Sequence, residues 1–498
     1  MRQWMVAAKK ADFYAIAEKF HVDPVVARII RNREVIGEKN IRIYLGGNLS
    51  DLSDPHQMKD MDRLVEILAQ KIRKQVHIRI IGDYDVDGVT SSHLFLTALR
   101  RVGAKVDVVI PHRIQDGYGL SLHLLQQAKE DGVDTILTCD NGIAAIDEIA
   151  WAKAQKMTVL VTDHHAVPFE EHEGRRTEKK SLADAVVNPH QQDCGYPYKE
   201  LCGAGVAWNV IRVLYENYDM DKREAEDLLD FVAMATVCDV MSLTGENRIL
   251  VKEGLKRIRH TKNIGLQALM QACNVQQENI SAYHFGYVLG PCVNATGRLD
   301  TARHALRLFE TGQETEAEEI ARDLVDLNQE RKELTLQGVE MAKKLCEEGG
   351  YENDPILVLF LPDVHESIAG LIAGRIRETY QRPVFVLTRG EEGVKGSGRS
   401  IEAYSMFDKM TEVAELFTKY GGHPMAAGLS MREEDIDKLR EQLNQKAELS
   451  EEDMAEVVRL DAVLPMSYFT VDTIRQLSVL EPCGKSNTKP VFADRNIK

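Results

Sequence analysis

Three aspartates alternate with other residues in Asp83-Tyr84-Asp85-Val86-Asp87-Gly88, directly after the apolar run Val76–Ile81. Carboxylates that close repel one another, and a divalent cation relieves the repulsion because hard cations bind carboxylate oxygen well. A solvated acidic turn is the bland alternative. A calcium loop of the helix-loop-helix kind shares the D-x-D-x-D-G opening. Its twelfth position is Leu94 here, where a bidentate Glu belongs, and a strand pattern precedes the turn where that loop has a helix. Further acidic and imidazole groups follow in Asp140-Asn141-Gly142, Asp163-His164-His165 and Cys238-Asp239. An isolated His-His pair is more often structural than catalytic. Taken with Asp83, Asp85 and Asp87, however, Asp140, Asp239 and the His164-His165 pair match the donor set of a two-metal site: terminal oxygens, a bridging carboxylate and at least one imidazole.

The elements around these residues explain how they could meet. In Val76–Ile81 β-branched residues alternate with polar ones before Gly82 opens a turn. If the backbone stays extended, Asp83, Asp85 and Asp87 share one face while Tyr84 and Val86 point away. Strand and helix patterns then alternate through Ser91–Val102, Val106–Ile110, Leu122–Glu130, Thr135–Asp140, Ala144–Ala154, Thr158–Asp163 and Ala185–Asn188. That rhythm predicts an α/β fold with a mostly parallel, doubly wound sheet. Ligands of such sheets sit beyond the carboxyl ends of the strands, where the acidic motifs fall. A helical pattern over Leu228–Val237 delivers Asp239 to another element end.

At 498 residues, 44% hydrophobic and 28% charged, the chain has room for two to four domains. The net charge of −16 speaks against wholesale coating of nucleic acid, yet a nest of metal-binding carboxylates inflates that figure. Eight scattered cysteines without a C-x-x-C pair predict neither a zinc knuckle nor a disulfide framework. No run reaches the roughly 18 apolar residues of a membrane span, and Met1–Lys10 lacks the apolar core of a secretion signal. A cytoplasmic enzyme is expected.

The expected domains are a helical or irregular segment over 1–74, a catalytic domain over 75–310, a connecting helix over 311–349, a smaller α/β domain over 350–450, and the incomplete start of an oligonucleotide-binding barrel over 451–498. The connector is charged, free of Pro and helical in period; two shorter helices packed as a hairpin are its alternative. The smaller domain carries Gly396-Ser397-Gly398-Arg399-Ser400 and Gly421-Gly422-His423.

The ordered motifs from Asp83–Ser92 through Asp163–His165, Asn294–Arg298, His365–Arg375 and Gly421–Gly428 resemble the DHH phosphoesterase superfamily, named for its Asp-His-His motif. Within it, they look like the exonucleases specific for single-stranded DNA. The resemblance implies that Asp85 and Asp87 bind different metals, that Asp140 bridges them, and that His164 and Asp239 complete the ligand set of the second ion, with Asp83 at or just behind the ions. His165 would contact the scissile phosphate or assist the leaving oxygen, and Asp163 would orient the imidazoles. The mixed oxygen and nitrogen donors favour two Mn²⁺, with Mg²⁺ a weaker substitute. Arg298 and Arg399 look like phosphate clamps, and Gly421, Gly422 and His423 like a phosphate-contacting motif. Asn294, Ser397, His365 and Arg375 belong to the same substrate-binding pattern, while Arg113 and Tyr118 offer a charge and a stacking platform for a base. Implied partners are single-stranded DNA and, with it, single-strand-binding protein and a helicase; the implied reaction is 5′-to-3′ release of mononucleotides in repair and recombination.

Two departures stand out. Phe169–Ser181 is longer and more charged than the pattern leads one to expect. Near the end, Cys483, Lys485 and Ser486 stand where an aromatic and small residues belong. Rival readings are a hydrolase of short oligonucleotides, cyclic dinucleotides or pyrophosphate, a non-catalytic strand-binding scaffold of the replisome type, and an aspartate-rich metal-binding protein without hydrolase activity. Intact ligands oppose the scaffold.

Overall fold

Residues 2–113, 116–117, 119–172, 175–351, 353–390 and 393–495 are described by the computed structural model. Their contacts divide the chain into two units. One comprises residues 7–327 with 461–498, the other residues 1–6 with 328–460.

The first unit is built on five parallel strands: β1 (Ile78–Ile81), β2 (Val106–Val109), β3 (Thr135–Cys139), β4 (Thr158–Thr162) and β5 (Ala185–Val187). Their spatial order is β2-β1-β3-β4-β5. From β1 the chain steps outward to β2 and then crosses back to β3, so the C-terminal ends of β1 and β3 flank a switch point, where open parallel sheets hold their ligands. Successive side chains enter opposite cores. Ile80, Leu137, Leu160 and Val187 pack into the larger one, while Ile81, Ile136, Val161 and Val186 pack into the smaller. Both faces of the sheet are therefore dry, which accounts for strands that read as apolar runs.

The helix after β1 departs from expectation. It spans Val86–Arg101 and so begins five residues before the predicted Ser91. The cause is local. Asp85 caps the helix, its carboxylate accepting the backbone N–H groups of Asp87 and Gly88. Asp87 thus lies in the first turn of a helix, and the extended alternation expected for the three aspartates is incorrect.

The charged stretch Phe169–Ser181 contains an antiparallel hairpin, Phe169–His172 against Arg175–Glu178. The connector forms one unbroken helix, Glu314–Glu348, and no hairpin of two shorter ones. Its 35 residues extend roughly 50 Å at about 1.5 Å per residue. Ala317, Ile320, Ala321 and Leu324 join the core of the first unit, and Val339, Ala342 and Cys346 join a core of the second.

The second unit holds β6 (Leu357–Phe360), β7 (Val384–Arg389), β8 (Val394–Arg399), β9 (Phe417–His423) and β10 (Ala426–Met431), in the order β9-β10-β8-β7-β6. Within this sheet the β6–β7 pair is parallel and the other pairs are antiparallel. The sheet is covered on both sides, with Val358, Phe385 and Leu387 in one core and Leu359, Val384 and Val386 in the other.

Candidate metal centre

Asp83 leaves β1, Asp140 leaves β3, and Asp163, His164 and His165 leave β4, so adjacent parallel strands deliver them to one edge. Asp239 arrives at the end of helix Leu229–Cys238. Ligand atoms of Asp83, Asp85 and Asp140 lie within 4.8 Å of one another, as do those of Asp87, His164 and Asp239, and those of Asp140, His164 and His165. Asp140 and His164 each belong to two of these groups. His164 Nε2 stands 3.0 Å from Asp140, 3.6 Å from Asp239 and 3.7 Å from Asp87.

Burial makes this crowding costly for the bare side chains. Asp83, Asp87 and Asp140 are no more than 2% exposed. Burial and then the neighbouring aspartates push Asp83, Asp85 and Asp140 above the ordinary carboxylate range. The same causes push Asp239 up to about 8. His164 is held below its usual value by burial, which keeps the imidazole neutral and able to donate its lone pair. Asp83 Oδ1 is buried without a hydrogen-bond partner among the described residues, and His164 Nε2 makes no hydrogen bond there either. Buried acceptors without hydrogen bonds, set among clustered oxygen and neutral nitrogen donors, fit divalent cations of the Mn²⁺ or Mg²⁺ type.

Two scaffolding contacts had no assigned role in the sequence. Backbone N–H groups of Gly203 and Ala204 donate to the two oxygens of Asp87 at 2.6 and 2.7 Å. They begin helix Gly203–Asn217, whose positive end thereby steadies a carboxylate. A Cβ on Gly203 would stand 2.6 Å from Asp140 Cβ, so only glycine allows that helix to close on the nest. The run Gly203-Ala204-Gly205 was the available signal, but a backbone donor leaves no side-chain signature.

Asp163 belongs to none of the three ligand groups but holds a member of one. Its Oδ1 accepts the N–H groups of His164 and His165 and meets His165 Nδ1 at 2.8 Å, while Oδ2 accepts from Ile143. Burial raises the Asp163 carboxyl, but the hydrogen bond from His165 and the imidazolium charge outweigh it and hold the group below its usual value. His165 responds in kind: burial depresses it, yet the Asp163 partnership carries it up to about 9. Asn188 fixes the same segment by donating to the His165 carbonyl.

The remaining candidates divide between the units. In the first, the Arg113 guanidinium lies 4.7 Å from the centre of the Tyr84 ring. Asn294 accepts the N–H of Val86 and so braces the acidic turn. Arg298 is half-buried in the last turn of helix Gly290–Leu299, and Tyr118 lies outside the described residues. In the second unit, His365 caps helix Glu366–Tyr380 through Ser367. Arg375 is exposed on that helix. Ser397 and Arg399 are joined by a hydrogen bond on β8, and a Cβ on Gly370 of the helix would meet both. Gly421, Gly422 and His423 end β9, paired with Gly428, Ala427 and Ala426. Both glycine motifs are thus strand, where isolated loops are the commoner home of such residues.

Comparison with known proteins matches this architecture. A family model for the DHH family N-terminal domain covers residues 77–236, and a DHHA1 domain model covers 353–449. The fold is that of the DHH class. A RecJ OB domain model matches residues 460–498. A single-stranded-DNA-specific exonuclease RecJ from Haemophilus influenzae is 35% identical over 489 residues, covering 94% of this chain and 83% of that protein. The Bacillus subtilis protein of the same name is 34% identical over 480 residues, covering 96% of this chain and 59% of its own length. The crystal structure of Thermus thermophilus RecJ in complex with Mn²⁺ superposes with a TM-score of 0.83 at 28% identity, over 99% of this chain and 69% of that one. This chain belongs to the RecJ family.

Proposed function

We infer that the chain is a divalent-metal-dependent phosphodiesterase that degrades single-stranded DNA from the 5′ end to mononucleotides, serving repair and recombination. The supporting observation is the pair of ligand groups that meet at Asp140 and His164 within 4.8 Å. Asp83, Asp85 and Asp140 would hold one ion, and Asp87, His164 and Asp239 the other, with Asp140 between them. Mn²⁺ suits the imidazole better than Mg²⁺ does. Bound ions would supply an acidified water and neutralise charge on the phosphate.

The chain's own residues account for the rest. Gly203 and Ala204 keep Asp87 in place as charge changes around it. Asp163 fixes the orientation of His165 and keeps it a cation at neutral pH. A protonated imidazole beside the nest suits a phosphate oxygen in the ground state and a leaving oxygen that needs a proton. Arg298 and Arg113 lie near the acidic turn through Tyr84, whose ionisation both favour by their charge against the stronger effect of burial, and they would grip flanking phosphates. In the second unit, Ser397, Arg399, Gly421, Gly422 and His423 form the proposed hold on the strand, with His365 and Arg375 on the adjoining helix.

The test uses end-labelled single strand, duplex, dinucleotide and pyrophosphate with Mn²⁺ or Mg²⁺, for the wild-type chain and Asp140→Ala. Mononucleotides released from the 5′ end of the single strand, and lost in the variant, are expected. Preference for dinucleotide or pyrophosphate would overturn the exonuclease assignment.

A further inference from the structure

Beside the metal centre lies a cavity of about 860 Å³ that the proposed chemistry leaves unused. That volume falls in the roughly 300–1,000 Å³ range of ligand sites. Cys238 and Val240, the residues on either side of Asp239, form part of its wall, so the cavity begins where the nest ends. Four sequence segments build it: the end of helix Leu229–Cys238 and the residues after it, helix Gly245–Ile258 with Arg259, the Ile280–Tyr287 stretch, and the loop Glu481–Lys489.

Its lining combines two features. Tyr283 and Tyr287 stack with ring centres 5.1 Å apart and planes 24° from parallel. They remain 56% and 73% exposed, unusual for aromatic rings that could bury their faces. A π-helical turn over Phe285–Leu289 carries Tyr287, and such turns recur at functional sites. The same lining includes Lys252, Lys256, Arg259, Lys485 and Lys489, together with Glu481. Lys485 and Lys489 have no carboxylate partner among the described residues. The charge of Lys485 reaches Asp239, lowering its pKa against the stronger effects of burial and the neighbouring aspartates. In a chain of net charge −16, this concentration of cations beside a carboxylate nest is local and specific.

We propose that this cavity is a nucleotide subsite in which Tyr283 and Tyr287 stack on unpaired bases of the DNA strand while Lys485 and Lys489 hold its phosphates. This rests on the exonuclease assignment and extends it by naming where bases outside the reacting phosphate are gripped. Aromatic faces bind any base and require it to be unpaired, because a duplex hides base faces. Cations alone would accept duplex and single strand alike. The tyrosine pair would therefore contribute to preference for single strands, a role the sequence had placed at Tyr118.

The test is binding of an oligodeoxynucleotide that carries 2-aminopurine and phosphorothioate linkages to the full chain with Mn²⁺. Wild-type protein should quench the probe. Tyr283→Ala with Tyr287→Ala should weaken binding roughly tenfold or more and abolish the quench, whereas the paired Phe substitutions should keep both. Lys485→Gln with Lys489→Gln should flatten the salt dependence, by a slope of about 1.4 for two single-strand contacts. Binding within twofold of wild type in the tyrosine-to-alanine protein, with the quench retained and melting temperature unchanged, overturns the proposal. That result would also give the cavity to another occupant, such as an acidic peptide. Cleavage by the wild-type chain is measured alongside. Failure to cut single strands refutes the exonuclease assignment, while cutting with indifferent tyrosines refutes the subsite alone.

Discussion

At the scale of single residues, the two adjacent histidines have been driven in opposite directions. Burial keeps His164 neutral beside the carboxylates, whereas Asp163 lifts His165 to about 9. The imidazolium of His165 is therefore present below pH 9 and lost as pH rises through that value. In the metal-free protein, Asp163→Asn removes the largest favourable partner, so the His165 titration should move down toward the ordinary 6.5. Histidine NMR would follow it, and a titration still near 9 would mean that Asp163 is not the cause. Activity should fall roughly 10- to 100-fold, the usual cost of losing a group that orients a site residue.

Among the elements, helix Leu229–Cys238 does two jobs of different chemistry. Its end supplies Asp239, while its start buries Asp230, which accepts hydrogen bonds from Thr261 and the Phe231 N–H. Burial raises Asp230 to about 6 despite these bonds. A carboxyl whose folded pKa exceeds the unfolded 3.8 costs nothing below pH 3.8. Its penalty grows as pH rises to about 6 and is constant above, at about 3 kcal/mol or less. Asp230→Asn keeps an oxygen for the Phe231 N–H, turns its NH2 toward the Thr261 hydroxyl, which then accepts, and removes the charge. It should raise the melting temperature at pH 7 and leave it nearly unchanged at pH 4; equal shifts at both pH values would exclude ionisation as the reason. Elements also mark the limits of reading from sequence. The parallel sheet was legible because β1, β3, β4 and β5 are apolar runs with polar ends, and the ligands sit on those ends. The start of helix Val86–Arg101 was not, because Asp85 serves at once as a cap and as a potential ligand, and its carboxylate type announces either role. The hold on Asp87 comes from the amides of Gly203 and Ala204, which every residue but proline possesses.

For the molecule as a whole, Arg248 ties distant parts of the first unit together. It is 1% exposed, lies 3.9 Å from the Tyr44 ring centre, and donates to the carbonyls of Tyr44, Val479, Leu480, Glu481 and Pro482. Nothing in sequence links these residues, since their acceptors are backbone oxygens separated by more than 200 positions. Arg248→Met fills the volume but leaves several carbonyls without a donor, each worth about 1–3 kcal/mol when buried. Urea unfolding should show a loss of several kcal/mol, and the loop Glu481–Lys489 should become the first site cut by protease. Wild-type resistance of that loop in the variant would show that other contacts hold it.

The placement of those carbonyls has a consequence for synthesis. A ribosome finishes residues 7–327 first and residues 461–495 only after it has made the whole of the second unit. Until then the emerging chain possesses every proposed metal ligand, yet Arg248 has no late-made carbonyls to receive its protons. The first unit is thus completed by residues made after the second, and a nascent chain that stalls midway would carry the reactive nest without the tie that closes it.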